Sequence, residues 1–96
     1  MSAQRYEITR VKHVRQHLLR VTFGDGVEML LDFAPWLHDA KRTSQDKRYR
    51  AVQWFKRVRN EGYALIWGDN TIGMYAEDLR KGSITGVQTI ETRAAA

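Results

Sequence analysis

Apolar and polar residues alternate along two stretches in the first third of the chain, residues 18–23 and 27–33. Alternation with a period of two is typical of a strand that buries one face. Gly24-Asp25-Gly26 separates the two stretches, and its glycines accept the positive φ angles that a tight turn requires. The pattern therefore predicts a β-hairpin, preceded by a half-exposed strand over residues 5–13.

A second hairpin is predicted in the second half of the chain. Residues 63–67 and 71–75 are mainly apolar and flank the turn-forming tripeptide Gly68-Asp69-Asn70. Residues 77–80 are predicted to form a helical turn that Gly82 ends. Residues 83–91 then have the spacing of a weak strand or a docked tail, and we expect residues 92–96 to fray.

Between the hairpins the pattern predicts one amphipathic helix over residues 47–60, with Asp46 as a candidate N-cap and Gly62 as a candidate C-cap. At 100° per residue, basic side chains cover most of this helix and one face collects the apolar residues Ala51, Trp54, Phe55 and Val58. We expect that face to pack on the sheet and the basic surface to point outward. Before the helix, Pro35 suits a short helix or turn over residues 34–37.

These elements predict the α+β class, with an antiparallel β-sheet built from two hairpins packed against one main amphipathic helix. Ninety-six residues suffice for one hydrophobic core and are too few for two. We therefore expect a single domain over residues 1–82 and a C-terminal tail over residues 83–96. The three tryptophans, Trp36, Trp54 and Trp67, are expected in the core, with Trp36 at its corner the most exposed of them.

The composition narrows the function classes. There is no cysteine, so disulfides, thiolate metal sites and cysteine nucleophiles are excluded, and a reducing compartment is the natural interpretation. The first ten residues carry charges instead of an apolar signal core, and no apolar run approaches the roughly 20 residues that span a bilayer. We expect a cytoplasmic protein that does not enter a membrane.

The charge is unevenly distributed. The net charge is +5, and residues 41–59 contain eight lysines and arginines against the single acid Asp46. The candidate interaction surface drawn from this segment and the nearby corner comprises Arg48, Arg50, Lys56, Arg57, Arg59, Lys41, Arg42 and Trp36. Such a surface could attract nucleic-acid phosphates, fit an acidic protein, or simply form a solvated face that keeps a small protein in solution.

No catalytic or metal-binding motif accompanies these features. His13 and His17 could meet across a turn, but two ligands are too few for zinc, which normally needs three from the protein. Asp32 and the Glu77-Asp78 pair are the candidate catalytic carboxylates, although acids at such positions more often cap a following helical turn. No serine lies in a nucleophile elbow and no glycine-rich phosphate loop occurs. We expect no enzymatic activity, no cofactor and no metal.

The order of the elements resembles the family of small bacterial proteins catalogued as domain of unknown function 2442. The resemblance rests on Gly24-Asp25-Gly26 after a strand, on the corner at residues 31–37, on residues 54–59, and on Ile66-Trp67 and Glu77-Asp78-Leu79. It implies a short α+β protein of no known biochemical activity. Some members of that family carry a helix-turn-helix domain, and some are encoded beside small toxin-like partners. The sixteen residues after Arg80 are too few for a helix-turn-helix domain, so we do not expect DNA reading of that kind here.

Two functions remain after these exclusions. The first is a non-enzymatic protein-interaction or regulatory module that is accessory to the product of a neighbouring gene and has an acidic or toxin-like partner. The alternative is a nucleic-acid-binding protein that contacts the backbone with the same basic surface. An unpaired strand edge also makes a homodimer reasonable.

Overall fold

The computed structural model describes residues 6–94, which form two antiparallel sheets and several short helices around one core. In chain order the strands are β1 Ile8–Arg15, β2 Leu18–Phe23, β3 Val27–Asp32, β4 Arg59–Asn60, β5 Ala64–Trp67, β6 Ile72–Tyr75 and β7 Gln88–Ala94. The helices are α1 Ala34–Leu37, α2 Ser44–Lys47, α3 Val52–Phe55 and α4 Ala76–Lys81, and a 3₁₀ turn over Arg48–Arg50 joins α2 to α3. The strand orders are β1-β2-β3-β7 in the larger sheet and β4-β5-β6 in the smaller one.

The first predicted hairpin is confirmed. Strands β2 and β3 pair in the register Leu19↔Leu31 and Val21↔Met29, so these four side chains share the buried face of the sheet. Gly26 takes a φ of 89° at the turn, as the glycine-rich sequence predicts. Strand β1 pairs with the other edge of β2, and the register of this pairing shifts at two points. Residue 5, where the predicted first strand began, lies outside the described residues.

The second predicted hairpin is also confirmed, but it belongs to a separate three-stranded sheet, so the prediction that both hairpins build one sheet is wrong. Strands β5 and β6 pair with Leu65 opposite Met74 and Trp67 opposite Ile72, and all four side chains are buried. Asn70 adopts a left-handed φ of 61° in the connecting turn. The short strand β4 adds to the outer edge of β5, where the sequence pattern had predicted the end of a helix.

The prediction of one main amphipathic helix is wrong. The segment expected to form it is divided into α2, the 3₁₀ turn, α3 and β4, because Ala51 leaves the helical region with φ −79° and ψ 126°. Tyr49 and Phe55 explain the break. On a continuous helix they would point about 120° apart, yet both are buried in the same core, with exposures of 4% and 1%. The extended residue between them lets both rings point inward.

The ends of the helices follow local side-chain chemistry. Pro35 lies in the first turn of α1, as predicted, and Gly82 ends α4 in the left-handed conformation with φ 70°. The predicted cap Asp46 is wrong. It is Thr43 that caps α2, its hydroxyl accepting a hydrogen bond from the Asp46 backbone N–H at 3.1 Å. Asp46 instead lies in the first turn, where its negative charge complements the free N–H groups.

The core lies between the two sheets and is centred on aromatic rings. Trp67 packs against Phe33 and Phe55, with ring centroids 5.7 Å apart in both cases. Trp67 is fully buried as predicted, whereas Trp36 and Trp54 are only half-buried and pack against the margin of the core. The exposed parts of those two rings are therefore available to the surface.

The C-terminal segment contributes a strand to the larger sheet. Strand β7 pairs with β3 over Val27↔Ala94 to Asp32↔Gln88, so residues 92–94 of the predicted frayed end are part of the sheet. Residues 95 and 96 lie outside the described residues. Within residues 6–94, every helix is too short and too polar to cross a bilayer.

Candidate functional site

The most distinctive surface feature is a half-buried tryptophan flanked by two arginines. The guanidinium carbon of Arg57 lies 4.5 Å from the ring centroid of Trp54, and that of Arg48 lies 5.1 Å from it. Both distances are within the range of cation–π attraction. Arg57 follows Trp54 by three residues, whereas Arg48 reaches the ring because the chain turns at Ala51 between α3 and the 3₁₀ turn.

A third arginine extends this cluster toward the smaller sheet. The Nη1 group of Arg59 donates a hydrogen bond of 2.8 Å to the carbonyl of Gly68, which ties β4 to the turn between β5 and β6. Its Nε also faces Glu61 at 3.5 Å, in an exposed ion pair that contributes little to stability. Arg59 is thus held in one place, with about half of its side chain exposed.

These residues line an open groove of about 390 Å³, here called the Trp54 groove. Its lining comprises Arg48, Tyr49, Trp54, Arg57, Arg59, Gly68, Asp69 and Thr71. The groove lining thus combines three arginines, one carboxylate and the Trp54 indole. A surface of this kind can pair with carboxylates or phosphates through bidentate hydrogen bonds and can stack a planar group on the indole.

Arg50, a member of the predicted interaction surface, does not line this groove. Its Nε donates to the carbonyl of Leu37 at 2.7 Å and its Nη2 to the carbonyl of Asp39 at 3.3 Å. Its own carbonyl bonds the Nε2 atom of the buried His17 at 2.9 Å. The last carbonyls of a helix lack intrahelical donors. Arg50 supplies one donor to Leu37 at the end of α1 and another to Asp39 just beyond it.

The other members of the predicted surface are spread apart. Arg42 lies over the ring of Trp36, 4.0 Å from its centroid, and faces Asp39 at 3.9 Å. Gly86 also packs closely against the main chain of Trp36. Lys41 and Lys56 are exposed and are not part of the groove lining. The structure therefore brings together Arg48, Arg57 and Arg59 of the eight predicted residues.

Trp54 was predicted to lie on the buried face of the helix, and it was not a member of the predicted interaction surface. The signal that could have found it is the spacing Trp54 to Arg57, which places a cation beside the ring on any helical turn. The contribution of the Gly68 to Thr71 turn depends on the pairing of β4 with β5, which no local pattern indicates.

The candidate metal and catalytic residues have structural partners. The ring of His13 is hydrogen-bonded to the carbonyl of Gln16. The ring centroid of His17 lies 6.1 Å from that of His38. No group of three or more metal-ligating side chains is found within residues 6–94. Asp32 accepts a hydrogen bond from the Ala34 N–H at 2.9 Å, which confirms its predicted capping role at α1.

Comparison of the chain with protein-family models, with curated proteins and with solved structures finds no match in any of the three.

Proposed function

We propose that this protein is a non-enzymatic interaction module that binds an acidic protein through the Trp54 groove. The observation that supports this function most directly is the half-buried Trp54 ring, which has the guanidinium groups of both Arg48 and Arg57 beside it. Tryptophan and arginine are the residues most enriched among the energetic hot spots of protein interfaces. A concave surface with an aromatic floor and cationic walls fits a projecting loop or helix that carries Asp or Glu.

We also propose the compartment, family and type of partner that the sequence suggests. The protein acts in the cytoplasm, belongs to the family of domain of unknown function 2442, and is accessory to the acidic or toxin-like product of a neighbouring gene. A two-fold dimer through the free edge of β7 is compatible with this role, because the whole strand from Gln88 to Ala94 is exposed. The Trp54 groove lies on a different element and does not require the dimer.

A second candidate function is binding of single-stranded nucleic acid. The same ring favours it, since an indole beside arginines can stack a base while the guanidinium groups contact phosphates. The number of cations in the groove limits the electrostatic contribution to the affinity for nucleic acid. Three arginines can neutralise about three phosphates, so the affinity should fall with added salt along a modest log–log slope of roughly −2 for single strands.

The test compares two double charge reversals. Arg48→Glu with Arg57→Glu changes the groove, whereas Arg10→Glu with Lys12→Glu makes the same change of charge at exposed positions of β1. A protein partner captured from native lysate is purified and titrated against both variants. We expect the groove variant to lose at least about tenfold in affinity, as for two charged hot-spot contacts, and the β1 variant to bind like the wild type. Equal binding of the two variants would refute the groove as the contact.

Oligonucleotide titrations distinguish the second function. Duplex and single-stranded oligonucleotides are titrated at about 50 mM salt and again at higher salt. Binding of the single strand that weakens in the groove variant would favour nucleic acid, and no binding at low salt would remove that alternative.

A further inference from the structure

A second concave surface lies away from the Trp54 groove and has the opposite chemistry. It is an open cleft of about 530 Å³ lined by Tyr6, Tyr63, Tyr75, Glu77 and Asp78, here called the tyrosine cleft. Tyr63 and Tyr75 are 52% and 68% exposed, which is high for large rings in a protein with a well-formed core. The cleft therefore presents aromatic surface and carboxylates together.

Main-chain hydrogen bonds bring the three tyrosines together from distant parts of the sequence. The N–H of Ile8 donates to the carbonyl of Gly62 at 2.6 Å, which places the start of β1 beside the start of the second hairpin. The N–H of Ala76 donates to the carbonyl of Tyr63 at 2.7 Å, at the point where β6 passes into α4. Tyr75 immediately precedes α4, and the first turn of that helix carries both carboxylates. The walls of the cleft are thus fixed by backbone.

Two of the protein's own cations show what this environment favours. The guanidinium carbon of Arg80 lies 4.9 Å from the ring centroid of Tyr6. The ammonium group of Lys81 bonds Glu77 at 2.7 Å. That hydrogen bond raises the pKa of Lys81, and the negative charges of Glu77 and Asp78 act in the same direction. Aromatic faces and carboxylates at this end of the molecule therefore stabilise positive charge.

The most exposed rings are the ones that these internal cations do not cover. Arg80 lies over the ring of Tyr6. Within residues 6–94, no arginine or lysine lies over the ring of Tyr63 or Tyr75. A planar guanidinium suits the space because it can stack on a tyrosine face and donate to a carboxylate with its edge. An ammonium group can satisfy only part of this arrangement.

We propose that the tyrosine cleft binds an arginine side chain of a partner polypeptide, stacked on Tyr63 and Tyr75 and hydrogen-bonded to Asp78. This site is separate from the Trp54 groove and does not rest on the function proposed for it. The protein would then contact partners of both charge signs at two different surfaces. Lys81, whose ammonium group bonds Glu77 next to Asp78, would compete with the incoming guanidinium for the negative charge of this helical turn.

The test uses three short peptides that differ at one position. Acetyl-Gly-Xaa-Gly-amide, with arginine, lysine or citrulline as Xaa, is titrated into ¹⁵N-labelled protein and followed by amide chemical shifts. Citrulline has nearly the shape of arginine without its charge. We expect saturable shifts at residues 63 and 75–81 with arginine, weaker ones with lysine and none with citrulline. Equal shifts with arginine and citrulline, or shifts confined to other residues, would overturn the proposal.

Three single variants locate the contact. Tyr75→Phe keeps the ring and should bind like the wild type, whereas Tyr75→Leu removes it and should weaken binding roughly three- to fivefold, as expected for an exposed cation–π contact. Lys81→Gln should strengthen binding because it removes the competing ammonium group. Since Tyr75 is 68% exposed, both Tyr75 variants should fold, which the dispersion of the amide spectrum will show. Unchanged affinity in Tyr75→Leu, or weaker binding in Lys81→Gln, would contradict the assignment.

Discussion

The indole N–H of Trp67 donates a hydrogen bond of 2.8 Å to the main-chain carbonyl of Phe55, and both side chains are buried in the centre of the core. The bond joins the second hairpin to the end of α3. Because it satisfies a polar group on each side, a ring as large as tryptophan can be buried without a free donor.

Replacing Trp67 by phenylalanine should therefore destabilise the protein strongly. The substitution removes the indole donor, leaves the Phe55 carbonyl with only the longer hydrogen bond from the Val58 N–H at 3.3 Å, and opens a cavity. Together these changes should lower the free energy of unfolding by about 2–4 kcal/mol. Urea denaturation followed by circular dichroism measures this. Trp54→Phe is the matched control, since that ring is half-buried, and it should cost less than about 1 kcal/mol. Similar losses in the two variants would show that the buried hydrogen bond has no special role.

Arg50 and Arg57 should behave as a structural and a surface arginine, respectively. Arg50→Ala removes two hydrogen bonds to the carbonyls of Leu37 and Asp39 and should lower the free energy of unfolding by about 1–3 kcal/mol. Arg57→Ala changes an exposed side chain and should stay within about 0.5 kcal/mol of the wild type. Thermal unfolding of both variants checks the difference, and an Arg50 variant as stable as the wild type would contradict the inward orientation.

Two glycines provide a test of close packing at the corner of the core. Gly82 and Gly86 both have positive φ angles, of 70° and 94°. A Cβ atom at Gly82 would meet nothing within 4 Å, whereas one at Gly86 would lie 2.9 Å from the Cα of Trp36. Gly82→Ala should cost about 1–2 kcal/mol for the backbone conformation alone, and Gly86→Ala at least about 1 kcal/mol more for the clash. Equal costs would mean that the Trp36 corner yields without strain.

The acid sensitivity of the protein should depend in part on Asp25. A hydrogen bond from the Val27 N–H lowers the pKa of this carboxyl group, and Arg80 lowers it further. A folded-state pKa below the unfolded value stabilises the fold above the unfolded pKa, and this stabilisation is lost as the pH falls through the folded pKa, below about pH 4. Asp25→Asn should make the decline of stability in this range shallower, as measured by urea midpoints between about pH 2 and pH 6. An unchanged pH profile would show that the carboxyl group is not coupled to folding.

Local sequence patterns predicted the hairpins well and the central segment poorly, for a physical reason. The strands around Gly26 and around Asn70 can pair in only one favourable register, because a shift of one residue would expose the whole apolar face. The apolar spacing of residues 51–58 fits a helix equally well whether or not it continues toward the N-terminus. What decides the break is the burial of Tyr49 beside Phe55, which depends on the rest of the core.

The same difference applies to the two surfaces. The basic segment of the Trp54 groove is contiguous enough to be recognised from charge alone, although charge does not show that Arg50 bonds main-chain carbonyls instead of lining the groove. The tyrosine cleft joins residues 6, 63 and 75, which are brought together by pairing between distant segments. The meeting of these three tyrosines depends on long-range contacts, which the spacing of apolar residues along the sequence does not predict.

The central claim, that the Trp54 groove is the contact for an acidic protein, is tested most directly by hydrogen–deuterium exchange of the protein with its purified partner. We predict that protection on binding falls on residues 52–59 and 68–71, the segments that line the groove, and that it disappears in the Arg48→Glu, Arg57→Glu variant. Protection confined to β1, β7 or the tyrosine cleft, with exchange at residues 52–59 unchanged, would contradict the claim.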